Sequence, residues 1–447
     1  MAQKQVILGA HFPGVNNMTV WSDPQAGSQI EFASFERFAR AAERGKLDFV
    51  FLAEGLRLRE QRGKLHDLDV VGRPNTLVVL AALAAVTERI GLAGTLNATF
   101  NEPYNLARQL ATLDHVSGGR SAWNVVTSPG AFTGENFRRG AYLPHDQRYE
   151  RAREFVELAR HLWSGGDDGQ GSFDYQGRQF TVRGRLDVPP LPQGHPIIIQ
   201  AGDSTQGREF AARSADAIFT RHGSLAEGQA FYADVKARLP KYGRAEHDLK
   251  ILPGVGFVLG DTPEEAAERH AEVRRQQVSP QTAIVLLEQL WNRDLSGFDP
   301  DGPLPDFDPD VSATTVAKGR SRQHDDTLAT ARQWRELSRR ENLGIRDLII
   351  KVTGRQQFVG TPAQVAEDMN RYVQQNASDG FILVPHLIPS GIEEFVDRVV
   401  PLLQERGVFR QEYAGSTLRE HLGLSAARHE PVTEREVAAA AAEAVAS

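Results

Sequence analysis

Polar side chains recur where short apolar runs end. Glu54 follows DFVFLA, Thr95 and Asn97 close the run that begins at Ile90, and Asn124 and Thr127 lie within and just after SAWNVV. Ser204 follows PIIIQ, and His222 follows AIFT. A carboxamide in a strand as apolar as AWNVV is costly to bury alone, so Asn124 either caps a loop or faces a polar ligand. Thr95 and Asn97, two apart on a strand, point the same way.

Two further stretches carry anion chemistry. In IIIQAGDSTQGREFAA, Ile197 to Ala212, three isoleucines read as a strand buried on both faces, Ala201 and Gly202 allow a tight turn, and Asp203, Ser204 and Thr205 precede a helix. A helix start offers unpaired N–H groups and the positive end of its dipole, so this turn is a phosphate seat or an ordinary capped turn. In LPHDQRYERAREFVELARHLW, His145 and Tyr149 stand one turn apart at the start of a long helix, as phosphate donors or as packing residues. Two such helix starts point to one shared anionic ligand.

The elements that must position these residues follow from periodicity. Strands are expected at Val6 to Ala10, Asp48 to Ala53, Ile90 to Thr95, Ser121 to Val126, Pro196 to Gln200, Ala217 to Thr220, Ile251 to Leu259 and Gly380 to Val384. Helical segments separate them, at Ala33 to Lys46, Asn75 to Thr87, Pro103 to Val116, Asp146 to Trp163, Leu225 to Leu239, Pro263 to Val278, Pro362 to Gln375 and Ile392 to Arg406. Strands alternating with helices, with no second compositional regime, fit an α/β fold of the (β/α)8 TIM-barrel type. In a barrel the strand C-termini share one face, which makes the polar set a candidate site.

An insertion is expected between the seventh and eighth strands, about 279–351. Its proline- and aspartate-rich middle, DPDGPLPDFDPD, reads as a long loop, either a lid or a surface excursion. Asp299, Asp301 and Gly302 echo a calcium loop, but no glutamate closes it, and no metal is expected. The single domain is expected to span 1–413, with a polar tail at 414–447.

Composition removes several classes of function. The 447 residues carry a formal charge of −7 and no basic block, which argues against nucleic acid or an anionic membrane as partner. The absence of cysteine excludes disulfides, iron–sulfur clusters and thiolate nucleophiles. HExxH and phosphate-loop patterns are missing, Gly254, Gly256 and Gly260 are spaced one residue too far for a dinucleotide fingerprint, and the histidines form no i, i+4 pair on a helix. The longest apolar run, Thr76 to Val86, is too short to span a bilayer, and MAQKQVILGA reaches a strand without a secretory pattern, so a cytoplasmic location is expected.

Several long motifs are shared with a known family. ERGKLDFVFLAE, TLNATFNEPYNLARQLATLDHVSGGRSAWNVVTS, NFRRGAYLPHDQRYERAREFVELARHLW and IIIQAGDSTQGREFAARSAD resemble the nitrilotriacetate and dibenzothiophene-sulfone monooxygenases, a branch of the bacterial luciferase-like flavin monooxygenases. TPAQVAEDM and DGFILVPHLIPSGIEEFVDRVVPLLQERG extend the resemblance to about Tyr413.

The resemblance implies a barrel enzyme that takes reduced FMN from a separate NAD(P)H:FMN reductase and uses O2 to oxygenate a small nitrogen- or sulfur-containing molecule. By motif match, Glu54, Thr95, Asn97 and Asn124 would line the flavin ring and ribityl chain. His145, Tyr149, Ala201, Gly202 and Ser204 would meet its phosphate. Glu54 stands where the family usually has aspartate, and the first loop, HFPGVNNMTVW, has Asn16 and Asn17 where relatives often carry histidine. His11, Phe12, Asn17, Trp21 and His222 are the expected substrate-side residues, and no catalytic base is carried over. Other readings are a deazaflavin-dependent oxidoreductase on the same barrel and a non-catalytic flavin-binding protein. The family implies a homodimer or homotetramer.

Overall fold

The computed structural model describes residues 3–14, 18–56, 74–127, 145–165, 172–185, 189–221, 223–311 and 326–427. Its centre is a closed parallel barrel. The barrel strands are β1 (Ile7–Phe12), β2 (Phe49–Leu52), β3 (Gly91–Asn97), β4 (Ser121–Val126), β7 (Ile197–Ala201), β8 (Ala217–Thr220), β9 (Lys250–Leu259) and β11 (Gly380–Leu383). They pair in that order, and β11 returns to β1 through the register Ile7 with Gly380. All eight expected strands are therefore present, in a (β/α)8 barrel.

The sequence pattern explains why a barrel forms. Each strand is buried on both faces, so its apolar run is continuous rather than alternating. Ile7, Phe49, Phe51, Ala93, Ala122, Ile199 and Leu252 turn inward and fill the barrel. Leu8, Ala10, Phe12, Val50 and Leu92 turn outward under helices such as Phe32–Arg44 and Pro362–Gln374. The inward layer is tight: a Cβ on Gly9 would lie 2.5 Å from the Phe49 ring.

The lower end of the barrel is fastened by carboxylates. Asp48, Asp216 and Asp379 stand just before β2, β8 and β11, and accept hydrogen bonds from the amides of Leu8, Ile198 and Ile251 on adjacent strands, each at 2.8 Å. Arg410, Arg419 and Lys236 respectively pair with them. Arg419 belongs to the short helix Leu418–His421; Leu418 and, just past its end, Leu422 enter the barrel interior. A Cβ on Gly91 would stand 2.6 Å from Leu418 Cδ1. The chain past Tyr413, expected to be a tail, thus first builds the floor of the barrel.

Three additions were not anticipated. An antiparallel hairpin, β5 (Ser172–Gln176) and β6 (Thr181–Arg185), precedes β7. The short β10 (Gln357–Gly360) extends the sheet along the outer half of β9, with Gln357 opposite Gly256. The insertion contains the helices Pro280–Trp291, Thr327–Glu341 and Ile345–Val352 around a core of its own that includes Leu287, Trp291, Ala331 and Ile349. The proline-rich middle is free of helix and strand, as expected, and wraps that core: Trp291 Nε1 donates to Phe307 O at 3.0 Å and Arg335 Nε to Pro305 O at 3.0 Å. No helix of the described residues is long and apolar enough to cross a membrane.

Candidate active site

A cavity of about 350 Å³ opens at the C-terminal mouth of the barrel. Four expected residues line it: His11 at the end of β1, Thr95 on β3, Asn124 on β4 and Ala201 at the end of β7. They meet because they share the inward face of neighbouring strands, Thr95 lying opposite Asn124 in the ladder. Asn124 Nδ2 donates to Thr95 Oγ1 at 3.0 Å. That leaves Asn124 Oδ1 buried without a hydrogen-bond partner among the described residues.

Other expected residues flank the cavity. Glu54 follows the lining residue Ala53, and its Oε2 is buried without a hydrogen-bond partner among the described residues. Burial pushes its pKa up to about 7, although the Asn97 amide donates to it. Asn97 is buried and its Oδ1 accepts from the amides of Thr99 (2.6 Å) and Phe100 (3.1 Å), so its side chain shapes the loop after β3.

The two helix starts do converge. A Cβ on Gly202 would sit 3.1 Å from the Tyr149 hydroxyl and 2.6 Å from Gln200 Nε2, so the missing side chain lets the turn and the hydroxyl approach. Ser204 caps the helix Thr205–Ser214, its Oγ accepting from Gly207 N at 3.1 Å. Asp203 is held back by Thr220 Oγ1 at 2.7 Å. Gln200 Oε1 is a third buried acceptor without a partner among the described residues. His145 begins the helix His145–Trp163, though its side chain lies outside the described residues. On that helix Arg148 Nη1 donates to Thr127 O and Arg151 Nε to Ala98 O, fastening it to the loops after β4 and β3.

The substrate-side expectations fare differently. Phe12 is corrected to a core residue: its ring stacks on Phe35 at 4.2 Å, because neighbours on a strand face opposite ways and His11 holds the inward position. Trp21 is partly exposed and outside the lining. Asn17 and His222 lie outside the described residues.

The cavity also has walls that sequence reasoning missed. Phe51 and Phe219 stack at 5.8 Å, and His11 meets Phe51 edge-on at 5.2 Å. His386, beyond β11, is buried, and burial pushes its pKa down to about 4, so it is neutral at physiological pH. Arg274 and Gln277, from the helix Pro263–Gln277, and Arg355 and Gln357, from the segment leaving the insertion, complete the cover. Inward parity would have found Phe51 and Phe219; no sequence signal marks Arg274.

A closed parallel barrel with buried acceptors at its mouth and a glycine turn under a tyrosine hydroxyl also has relatives. The profile of the luciferase-like monooxygenases matches residues 15–379. The chain belongs to the luciferase-like monooxygenase family. It is 40% identical to nitrilotriacetate monooxygenase component A of Aminobacter aminovorans, covering 94% of this chain and 95% of that one. It is 36% identical to the dibenzothiophene-sulfone monooxygenase of Rhodococcus erythropolis strain XP, covering 95% and 98%. Among solved structures, a riboflavin lyase with modified FMN and riboflavin superposes with a TM-score of 0.75 at 28% identity, covering 95% and 97%. This chain is thus a luciferase-like monooxygenase, and both relatives are named as enzymes.

Proposed function

We propose that this luciferase-like monooxygenase is the oxygenating component of a two-component system. It takes reduced FMN from a separate NAD(P)H:FMN reductase and, with O2, oxygenates a small organic molecule at nitrogen or sulfur. The observation that carries this reading is the pair of buried acceptors without partners among the described residues, Asn124 Oδ1 on the cavity wall and Glu54 Oε2 next to the lining residue Ala53, together with the Gly202 and Tyr149 cradle that follows the lining residue Ala201. Buried polar atoms are normally satisfied, so these fit a ligand rich in N–H and O–H donors that also ends in an anion.

On this reading Glu54, Thr95, Asn97 and Asn124 hold the ring and ribityl chain, and His145, Tyr149, Ala201, Gly202 and Ser204 the phosphate. Bound reduced FMN supplies the activation of oxygen. The chain's own work is positional. Asn124, oriented by Thr95, presents a fixed acceptor to the ring edge. The helix start at Ser204 offers amide donors to the phosphate. Phe51 and Phe219 keep water from the mouth. With a pKa about 7, Glu54 holds a proton at its carboxyl in the acid half of the neutral range and releases it above.

Anaerobic titration with reduced FMN, followed by oxygen-consumption assays with a reductase and NADH over nitrogen- and sulfur-containing compounds, tests the reading. Micromolar or tighter binding of reduced FMN and substrate-dependent oxygen uptake above peroxide release are expected. A protein that binds no reduced FMN, or turns over anaerobically with a deazaflavin instead, would refute it.

A further inference from the structure

The cavity is cationic in an acidic protein. Arg221, Arg274 and Arg355 line it, and among the described lining residues there is no aspartate or glutamate, although the chain carries −7. A concave site of one sign concentrates ligands of the opposite sign. Arg274 is the most informative of these residues, being only 7% exposed. Its guanidinium donates to Gln277 Oε1 (2.7 Å), Ile350 O (2.8 Å) and Thr353 Oγ1 (3.1 Å), all neutral acceptors. It forms no ion pair with an acid of the described residues, and burial lowers its pKa. The adjacent Arg275 is exposed and stands 3.7 Å from Asp347, as a surface arginine does. A buried cation held only by neutral groups is costly unless an anion joins it.

The strand order separates this charge from the phosphate seat. Gly202 follows β7, and Tyr149 lies on the helix after β4, the strand paired with β7. Arg274 lies on the helix after β9, and its neighbour Gln277 donates to Met18 O at 2.6 Å in the loop after β1. Around the closed order β1, β2, β3, β4, β7, β8, β9, β11, the sector from β9 to β1 lies across the mouth from that of β4 and β7. The planar fork of arginine suits a carboxylate. We propose that Arg274 receives a carboxylate of the substrate, which makes the substrate an organic acid and Arg274 its specificity determinant. This rests on the oxygenase reading above.

The test compares acids with their methyl esters: nitrilotriacetate, iminodiacetate and (methylthio)acetate, by calorimetric titration of the intact protein with and without FMN. At least one acid is expected to bind about tenfold or more tightly than its ester. Arg274→Gln should weaken that acid by about 30-fold, and Arg274→Lys, which keeps the charge but loses the fork, by about fivefold. Reduced-FMN affinity should stay within about threefold of wild type in both variants. The proposal is overturned if no acid binds, if acids and esters bind alike, or if Arg274→Gln leaves acid binding intact. Equal losses in both variants would mark a structural role and also overturn it. Loss of reduced-FMN affinity in the variants would assign the arginine to the cofactor phosphate, ending this proposal while the oxygenase reading stands. Failure of the oxygenase reading shows separately, as a wild type that binds no reduced FMN.

Discussion

Ser204→Asp separates phosphate binding from folding. Aspartate is as good an N-cap as serine, so the bond from Gly207 N, 3.1 Å in the structure, can be kept. A carboxylate in the first helical turn also interacts favourably with the dipole, so stability should hold or rise by about 0.5 kcal/mol. A phosphate bound by the same helix start would meet that carboxylate at roughly 5 Å. With an effective dielectric of about 40 at this exposed position, 332/(ε·r) gives about 1.7 kcal/mol per pair of unit charges. With the phosphate carrying more than one charge and salt screening part of the field, about 2 kcal/mol remains, or about a 30-fold loss of reduced-FMN affinity. Ser204→Asn, which caps without charge, should stay within about fivefold of wild type. Anaerobic fluorescence titration at low and high salt, beside thermal unfolding, measures both quantities. An aspartate variant that binds reduced FMN within threefold of wild type at low salt, with unchanged unfolding, would place the phosphate elsewhere.

Further outcomes follow from the same geometry. Gly202→Ala puts a methyl 3.1 Å from the Tyr149 hydroxyl and should weaken reduced FMN by about tenfold, with Tyr149→Phe partly relieving the crowding in titrations of the double variant. Glu54 binds its proton more tightly folded (about 7) than at its ordinary value of 4.5, so its contribution is complete below about pH 4.5 and is lost as pH rises through 7. Glu54→Gln should therefore gain about 2 kcal/mol relative to wild type between pH 5 and pH 8 in urea unfolding; a constant difference would contradict the assignment. Arg419→Met should cost about 3 kcal/mol in the same assay by stranding Asp216, whose carboxyl the Arg419 charge helps hold below the usual range despite burial.

Much of the barrel was readable because burial on both faces leaves an unmistakable mark. IIIQ and FVFL are short, continuous apolar runs of the kind a doubly buried strand requires, and the helices between them carry conventional caps such as Ser204 and Thr361. The hairpin was hidden by the opposite circumstance: SFDYQ is half exposed and mixes polar with apolar residues, with no continuous run to announce a strand. QFVG is only four residues long and adds to β9 at a point that no local pattern indicates. In the site, Thr95 and Asn124 were identifiable as polar residues misplaced in apolar strands. Phe12 is a core residue because neighbours on a strand face opposite ways, and His11 holds the inward position. Arg274 and Arg275 are indistinguishable in sequence, and only the tertiary fold sends one into the cavity and the other to solvent.

The floor beneath the barrel constrains the order in which the molecule is made. β1 completes its pairing with β11, the amide of Val6 bonds to Val408 O, and Leu418 fills space beneath Gly91. A ribosome therefore releases hundreds of residues whose inward side chains still lack their neighbours. Nascent chains up to about β8 should stay protease-sensitive and dependent on chaperones, acquiring protection in one late step once the 415–424 stretch has emerged.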